Sequence, residues 1–357
     1  MTDDRDLNEL RRTVDPSDML GLVLSFPAQM EDAWGTGRSF AAEIRPAGYR
    51  QVVVLGMGGS AIGGDMLRSM LGDRLSVPLV SCRDYRAPAW VGSESLVIVS
   101  SYSGNTGETL SAYSSVRGLG AKVAAVSSGG RLEEICSEDG VPLCKIPGGM
   151  PPRAAIAYSF FPMIQVLRSA GVARFEDAEF DEALETAKIL VSAYRPESNE
   201  NDALELARNV EGRFPYIYSG PGLMGSVARR WACQFNENSK SPAHYALYTE
   251  LNHNEIVGWR SGRLEDVLGR VVVVSLEDAE DHEMTVRQRE IGLGIVEPLA
   301  DRVVRFTGAG GGRLARMVSL LMLGDFASVY LALLYGVDPT PVDNITYLKT
   351  RLEEISG

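Results

Sequence analysis

Two short segments in the first third of the chain carry the residue types that hold a phosphate group without a metal ion. Gly56-Met57-Gly58-Gly59-Ser60 combines glycines, which let a backbone approach a ligand closely, with the hydroxyl of Ser60. Ser101-Tyr102-Ser103-Gly104-Asn105-Thr106 places the hydroxyls of Ser101, Ser103 and Thr106 within one turn of chain, just before a helical pattern. Hydroxyl donors and the unpaired N–H groups of a helix start both favour an anion. Alone, each segment has an ordinary reading. The glycine segment fits a tight strand–helix turn, or a dinucleotide loop in which Ala61 stands where GxGxxG needs its third glycine; no Walker lysine follows it. The hydroxyl segment fits a plain Ser/Thr N-cap. Two such loops on neighbouring strands are far more specific than either one.

These loops need rigid elements to hold them, and the flanking sequence supplies them. Gln51–Leu55, Pro78–Cys82, Leu96–Ser100 and Lys122–Val126 are short β-type runs, and Val141–Ile146 is a candidate fifth. Helical stretches from Ala61 to Leu71, up to Val116, and through Arg131–Glu138 separate them. Apolar runs without polar alternation, spaced by helix-length segments, indicate a parallel sheet covered on both faces. The pattern then changes. Ala154–Leu167 reads as an apolar helix, and Phe175–Glu211 as an acidic helical region broken near Pro196. Alternation resumes with a strand at Tyr216–Ser219, a Gly-rich turn, and a helix with Val227, Trp231 and Phe235 at i, i+4 and i+8. Val271–Ser275 and Val303–Phe306 are further strands, Arg313–Tyr335 a long buried helix, and Asn344–Ile355 a terminal helix. The expected fold is α/β: two doubly wound parallel-sheet domains, with residues 1–153 carrying the phosphate loops, 154–212 a helical connection, and 213–357 the second domain with its terminal helix.

Composition narrows the partners. The 357 residues carry a net charge of −12 and no basic stretch, so neither nucleic acid nor an anionic membrane surface is an expected partner. Met317–Leu334, the most apolar segment, is interrupted by Ser319, Gly324, Asp325 and Ser328 and reads as a core helix. Cys82, Cys136, Cys144 and Cys233 form no CxxC pair, His244 and His282 are solitary, and no His/Cys/Asp/Glu cluster has metal-ligand spacing. No metal and no cofactor are expected. The opening MTDDRDLNEL lacks a basic segment followed by an apolar one, so the cytoplasm is the expected compartment.

GMGGSAIGGD and SSYSGNTGET together resemble the sugar isomerase (SIS) domain, a five-stranded parallel sheet that binds phosphosugars. Three further segments, GGMPPRAA (Gly148–Ala155), FNENSK (Phe235–Lys240) and ELNHNEIVGW (Glu250–Trp259), are similar to the bifunctional phosphoglucose/phosphomannose isomerases, from about Gln51 onward and in order. The resemblance implies a sugar-phosphate substrate interconverted between aldose and ketose. It matches Gly59, Ser60, Ser101, Ser103 and Thr106 to phosphate binding and Arg153 to a cation beside the reacting carbons. It matches Glu237 to the catalytic base, His253 to sugar-ring opening, and Lys349 to assistance in that step. Thr340 is the nearest match to a threonine that discriminates sugars. It also implies a homodimer in which His253 reaches the partner's site. The residue types suit the reaction on chemical grounds. One carboxylate can carry a proton between adjacent carbons through a cis-enediol. An arginine can stabilise the enediolate, and an imidazole titrates where ring opening needs it. Each has a plainer reading: Glu237 and Lys349 as solvated helix residues, His253 in a solvated loop, Arg153 in a surface ion pair. A phosphosugar-binding sensor, or an isomerase of another sugar phosphate, are the competing functions.

Overall fold

Val, Ile and Leu runs need apolar cover on both sides, and the structure provides it by sandwiching two parallel sheets between helices. The computed structural model describes residues 6–198, 201–260 and 262–356. The first sheet contains β1 (Gln51–Leu55), β2 (Leu79–Cys82), β3 (Ser95–Ser100), β4 (Lys122–Ser127) and β5 (Leu143–Lys145), in the order β2-β1-β3-β4-β5. Every pair is parallel, and the register places Val53 beside Val80 on one side and Val97 on the other. All residues of β3 are buried, which explains the absence of polar alternation along it. The chain leaves β1 in one direction to form β2 and returns on the other side as β3. The switch point therefore lies between the carboxyl ends of β1 and β3, where both phosphate-type loops emerge.

The second sheet contains β6 (Phe214–Ser219), β7 (His244–Leu247), β8 (Val271–Glu277) and β9 (Arg302–Thr307), in the order β7-β6-β8-β9, again all parallel. It repeats the first four positions of the first sheet and has no fifth strand among the described residues. The strand β7 was not expected. Its four residues HYAL are half-exposed at the sheet edge and carry no apolar run to mark them. The glycine-rich start of the first helix also differs from expectation. That helix begins at Gly58, not Ala61, because Met57 takes the extended N-cap conformation and the glycines themselves form the first turn.

Three N-terminal helices, Leu7–Val14, Met19–Leu24 and Phe26–Ala41, precede the first sheet. The last of them packs along Ile156–Ser169. Gly37 permits the approach: a Cβ there would stand 2.6 Å from the Cα of Pro162. Trp34 stacks on Phe180 with ring centroids 4.3 Å apart, which fastens this pair to the Asp177–Ala193 helix. The Arg313–Leu334 helix is the centre of the core. It is long and apolar enough to cross a membrane, but its most apolar stretch is wholly covered by protein. It contacts Asp177–Ala193, Asp202–Val210 and Gly225–Asn238, and so fixes where the last of these presents its side chains.

Candidate active site

The loop after β3 is shaped by its contact with the loop after β4. Gly104 has φ +71°, and a Cβ there would lie 1.7 Å from the carbonyl oxygen of Gly129, so no other residue fits. Within this fold the hydroxyls are tied together. The Tyr102 N–H donates to Ser60 Oγ at 3.2 Å, and the Asn105 N–H donates to Ser103 Oγ at 3.2 Å. Ser101 Oγ and Thr106 Oγ1 are 3.1 Å apart. Ser60 and Ser103 thus accept from inside the loop and keep their own hydrogens for an outside acceptor. The Ser101–Thr106 pair shares one hydrogen and has a second to give. The start of the Gly58–Leu71 helix adds unpaired N–H groups. A cradle with donors free and acceptors engaged selects an anion such as phosphate.

The second sheet has no such cradle at the equivalent point, between β6 and β8. There the loop is acidic and its charges are already matched. Arg289 lies 3.2 Å from Glu277 and 3.3 Å from Asp281, and Arg316 donates to Asp278 at 2.6 Å. Among the described residues, the duplicated plan therefore carries this hydroxyl-lined loop on the first sheet alone.

Arg153 stands at the Pro152–Ala154 turn, following β5, and is 5% exposed. Its Nε donates to Asn238 Oδ1 at 2.6 Å, and its Nη2 donates to the carbonyls of Pro339 at 2.6 Å and Thr340 at 2.8 Å. The remaining nitrogen, Nη1, faces Glu237 Oε2 at 3.6 Å. Burial pushes this guanidinium below its ordinary value, and Glu237 opposes the shift. Three hydrogen bonds from Nε and Nη2 lock the fork, and the third nitrogen, Nη1, is presented beside a carboxylate that is one-third exposed. Gly59 links this pair to the hydroxyl cradle: a Cβ on Gly59 would come 3.1 Å from the Pro152 carbonyl oxygen. A cavity of about 220 Å³ opens there, lined by Gly58, Gly59, Arg83, Arg153, Arg229 and Glu237 among others. The anion cradle and the cation–carboxylate pair are thus joined through one glycine.

A buried polar set that sequence reasoning missed supports Arg153. Arg230 donates from Nη2 to the Arg153 carbonyl at 2.8 Å and grips Asp325 with Nε–Oδ1 at 3.1 Å and Nη2–Oδ2 at 2.7 Å. Gln234 donates to Asp325 at 2.7 Å, and Asn238 donates to Ser328 at 2.9 Å. Arg230, Gln234 and Asn238 recur every four residues on one face of the helix that ends in Glu237 and Asn238. That spacing, together with the lone acid Asp325 inside an apolar helix, was the available signal.

Two of the four sequence-derived catalytic candidates are not bonded to this pair. His253 is exposed on the turn after the Tyr248–Leu251 helix, and Lys349 is exposed on the Asp343–Ser356 helix. No hydrogen bond or ion pair among the described residues joins either to Arg153 or Glu237. Thr340 lies close to Arg153: its carbonyl accepts from that guanidinium, while its Oγ1 is shielded and has no partner among the described atoms. Among the described residues, no group of three His, Cys, Asp or Glu side chains is placed to hold a metal ion.

Residues 199–352 match the family described as the bacterial phospho-glucose isomerase C-terminal SIS domain. A bifunctional phosphoglucose/phosphomannose isomerase of Caldicellulosiruptor bescii is 41% identical over 339 residues, covering 94% of this chain and 99% of that one. One of Aquifex aeolicus is 35% identical, covering 86% of this chain and 91% of that one. Among solved structures, a hypothetical protein of Thermus thermophilus superposes with a TM-score of 0.76 at 16% identity, covering 98% and 94% of the two chains. The C-terminal domain of a glucosamine-fructose-6-phosphate aminotransferase from Francisella tularensis superposes with a TM-score of 0.65 at 14% identity, covering 91% and 98%. These two share the fold.

Proposed function

The chain belongs to the bifunctional phosphoglucose/phosphomannose isomerase family, and from that premise we propose that it interconverts glucose 6-phosphate and mannose 6-phosphate with fructose 6-phosphate. The observation that carries this reading is the free Arg153 nitrogen held 3.6 Å from Glu237, next to a hydroxyl-lined anion cradle. The 6-phosphate sits in the loops of Ser60, Ser101, Ser103 and Thr106. The open-chain sugar then extends toward Glu237. The carboxylate removes the C2 proton of the aldose, the C1 carbonyl oxygen gains a proton, and a cis-enediol results. Return of the proton to C1, with loss of the C2 hydroxyl proton, gives the ketose. Arg153 offsets the negative charge that builds on the two oxygens, in a pocket where burial strengthens the interaction.

The glucose and mannose epimers share this enediol and differ in the face of C2 that is protonated. Rotation about C2–C3 exposes either face. We assign discrimination between sugars to Thr340, whose carbonyl accepts from Arg153 and whose hydroxyl is unmatched beside it.

Ring opening is assigned to His253, aided by Lys349, and His253 acts from a second copy of the chain. Exposed apolar side chains support this homodimer. The terminal helix presents Ile345, Leu348, Leu352 and Ile355 at intervals of three and four residues, each more than 40% exposed. An apolar stripe on a helix needs a partner surface, and Lys349 stands beside it. Val257, on the turn that follows His253, is 74% exposed. The test is turnover of fructose 6-phosphate with the product sugars identified by NMR. Glucose 6-phosphate and mannose 6-phosphate are the expected products. No conversion at stoichiometric enzyme would overturn the proposal.

A further inference from the structure

His253 occupies a short overhang between a buried anchor and a half-buried one, and the second is a carboxylate with no part in the chemistry above. On the near side, Tyr248 is 1% exposed and donates to Ser275 Oγ at 2.8 Å, and Leu251 is 2% exposed. The turn is closed by the His253 N–H donating to the Glu250 carbonyl at 3.0 Å and by Asn254 Nδ2 donating to Glu250 Oε1 at 2.7 Å. On the far side, Glu255 is held by both oxygens. Tyr218 OH donates to Oε1, and His244 Nε2 lies 2.9 Å from Oε2. The Tyr218 oxygen in turn accepts from Trp259 Nε1 at 3.0 Å. Tyr218 is on β6 and His244 on β7, so one carboxylate bolts the His253 turn to two adjacent strands of the second sheet.

The arrangement is expensive for a surface loop. Tyr218 is fully buried, Trp259 is 2% exposed, and the Glu255 side chain is 24% exposed. A loop with no positional task would leave its glutamate in water. The neighbouring His253 is two residues from this clamp and exposed, so the clamp fixes where its imidazole stands without touching it. Ring opening needs that imidazole within hydrogen-bond reach of the ring oxygen, and a displacement of about one ångström is costly.

We infer that Glu255, clamped by Tyr218 and His244, is a positioning residue for ring opening: it sets the place of His253. The inference rests on the ring-opening role assigned to His253 above. It holds whichever subunit's site the imidazole serves, because the whole clamp lies within one chain.

The experiment compares a sugar that must be opened with one that cannot close. Fructose 6-phosphate is cyclic. 5-Deoxyfructose 6-phosphate lacks the hydroxyl that forms the furanose ring and stays open. For both, NMR in D₂O reads deuterium entering C1 of the ketose, with the full-length protein and its His253→Ala, Glu255→Ala, Glu255→Gln and Tyr218→Phe variants. For His253→Ala, kcat should fall about 100-fold or more with fructose 6-phosphate and change less than about threefold with the open sugar. Glu255→Ala should show the same split, about tenfold, with KM for both sugars changed less than about threefold. Glu255→Gln should recover part of the loss, since His244 can change tautomer and accept from the amide. Tyr218→Phe removes a single hydroxyl, and it carries the test if Glu255→Ala fails to fold. Equal slowing of both sugars in Glu255→Ala or Tyr218→Phe, or no slowing of either, overturns the positioning role while a split in His253→Ala leaves the ring-opening role standing. Absence of a split in His253→Ala itself removes the ring-opening role, and the inference with it.

Discussion

Removing the Asp325 carboxylate should separate stability from catalysis. This side chain is 8% exposed and accepts from Arg230 twice and from Gln234 once. Burial pushes its carboxyl above the ordinary range, against the pull of Arg230. In Asp325→Ala the Arg230 guanidinium, 3% exposed, would be left buried without its counter-charge. Stranding one partner of such a pair costs about 3–5 kcal/mol. The same pair contributes little net stability, because both charges are held out of water. Arg230→Met combined with Asp325→Leu should therefore lie within about 2 kcal/mol of the parent, or exceed it. Activity should not recover in the double variant. The Arg153 carbonyl has lost the Arg230 donor at 2.8 Å, so the turn that aims the guanidinium at Glu237 is loosened. Urea unfolding, followed by circular dichroism and by fluorescence with coincident traces, gives the free energies. The kcat values for fructose 6-phosphate give the second axis. A cost below about 1 kcal/mol for Asp325→Ala, well under the range for a stranded charge, or a fully active double variant, would refute this reasoning.

Other consequences follow from the same geometry. Ser103→Ala and Thr106→Ala should each weaken inorganic phosphate and phosphosugar binding by about 1.5–3 kcal/mol, read by calorimetry; unchanged affinity would remove the cradle's role. The His244 imidazole is raised, first by its bond to Glu255, against the effect of burial. Its pairing energy is therefore complete below about pH 6.5, the ordinary imidazole value, and fades as pH rises through the raised one. The Tm gap between parent and His244→Gln should be widest near about pH 6 and narrower near about pH 9; a gap independent of pH contradicts the pairing. Glu237→Gln and His253→Ala should each be severely impaired alone with fructose 6-phosphate. Mixed dimers should regain up to about half the sites, since one site then combines both unaltered residues. No recovery after verified subunit exchange would contradict shared sites.

The legible parts of the sequence were those where local chemistry and element period agree. Val52–Leu55 and Leu96–Ser100 are β-branched runs followed at once by Gly or Ser/Thr loops, and they became β1 and β3 with the hydroxyl-bearing loops at their carboxyl ends. Val227, Trp231 and Phe235 share one face and are fully buried as their spacing requires. The strand β7 escaped because an edge strand of four half-exposed residues carries no periodic signal. The first turn at Gly58 escaped because a glycine run in sequence resembles a loop and carries no helical period. The Arg230–Asp325 pair spans 95 residues of chain, so the lone acid in its apolar helix signals a buried partner without saying which residue it is. The place of His253 relative to Glu237 was hidden for a different reason. In one subunit it is exposed, and on the shared-site proposal its setting depends on a second copy.

The central claim is that Glu237 moves the proton, and isotope exchange tests it most directly. With fructose 6-phosphate in D₂O, the parent protein should yield glucose and mannose 6-phosphates labelled at C2. Glu237→Gln should keep phosphosugar affinity within a few-fold while its labelling rate falls by roughly 10²–10⁴ or more. Labelling by Glu237→Gln at a near-parental rate would contradict the account.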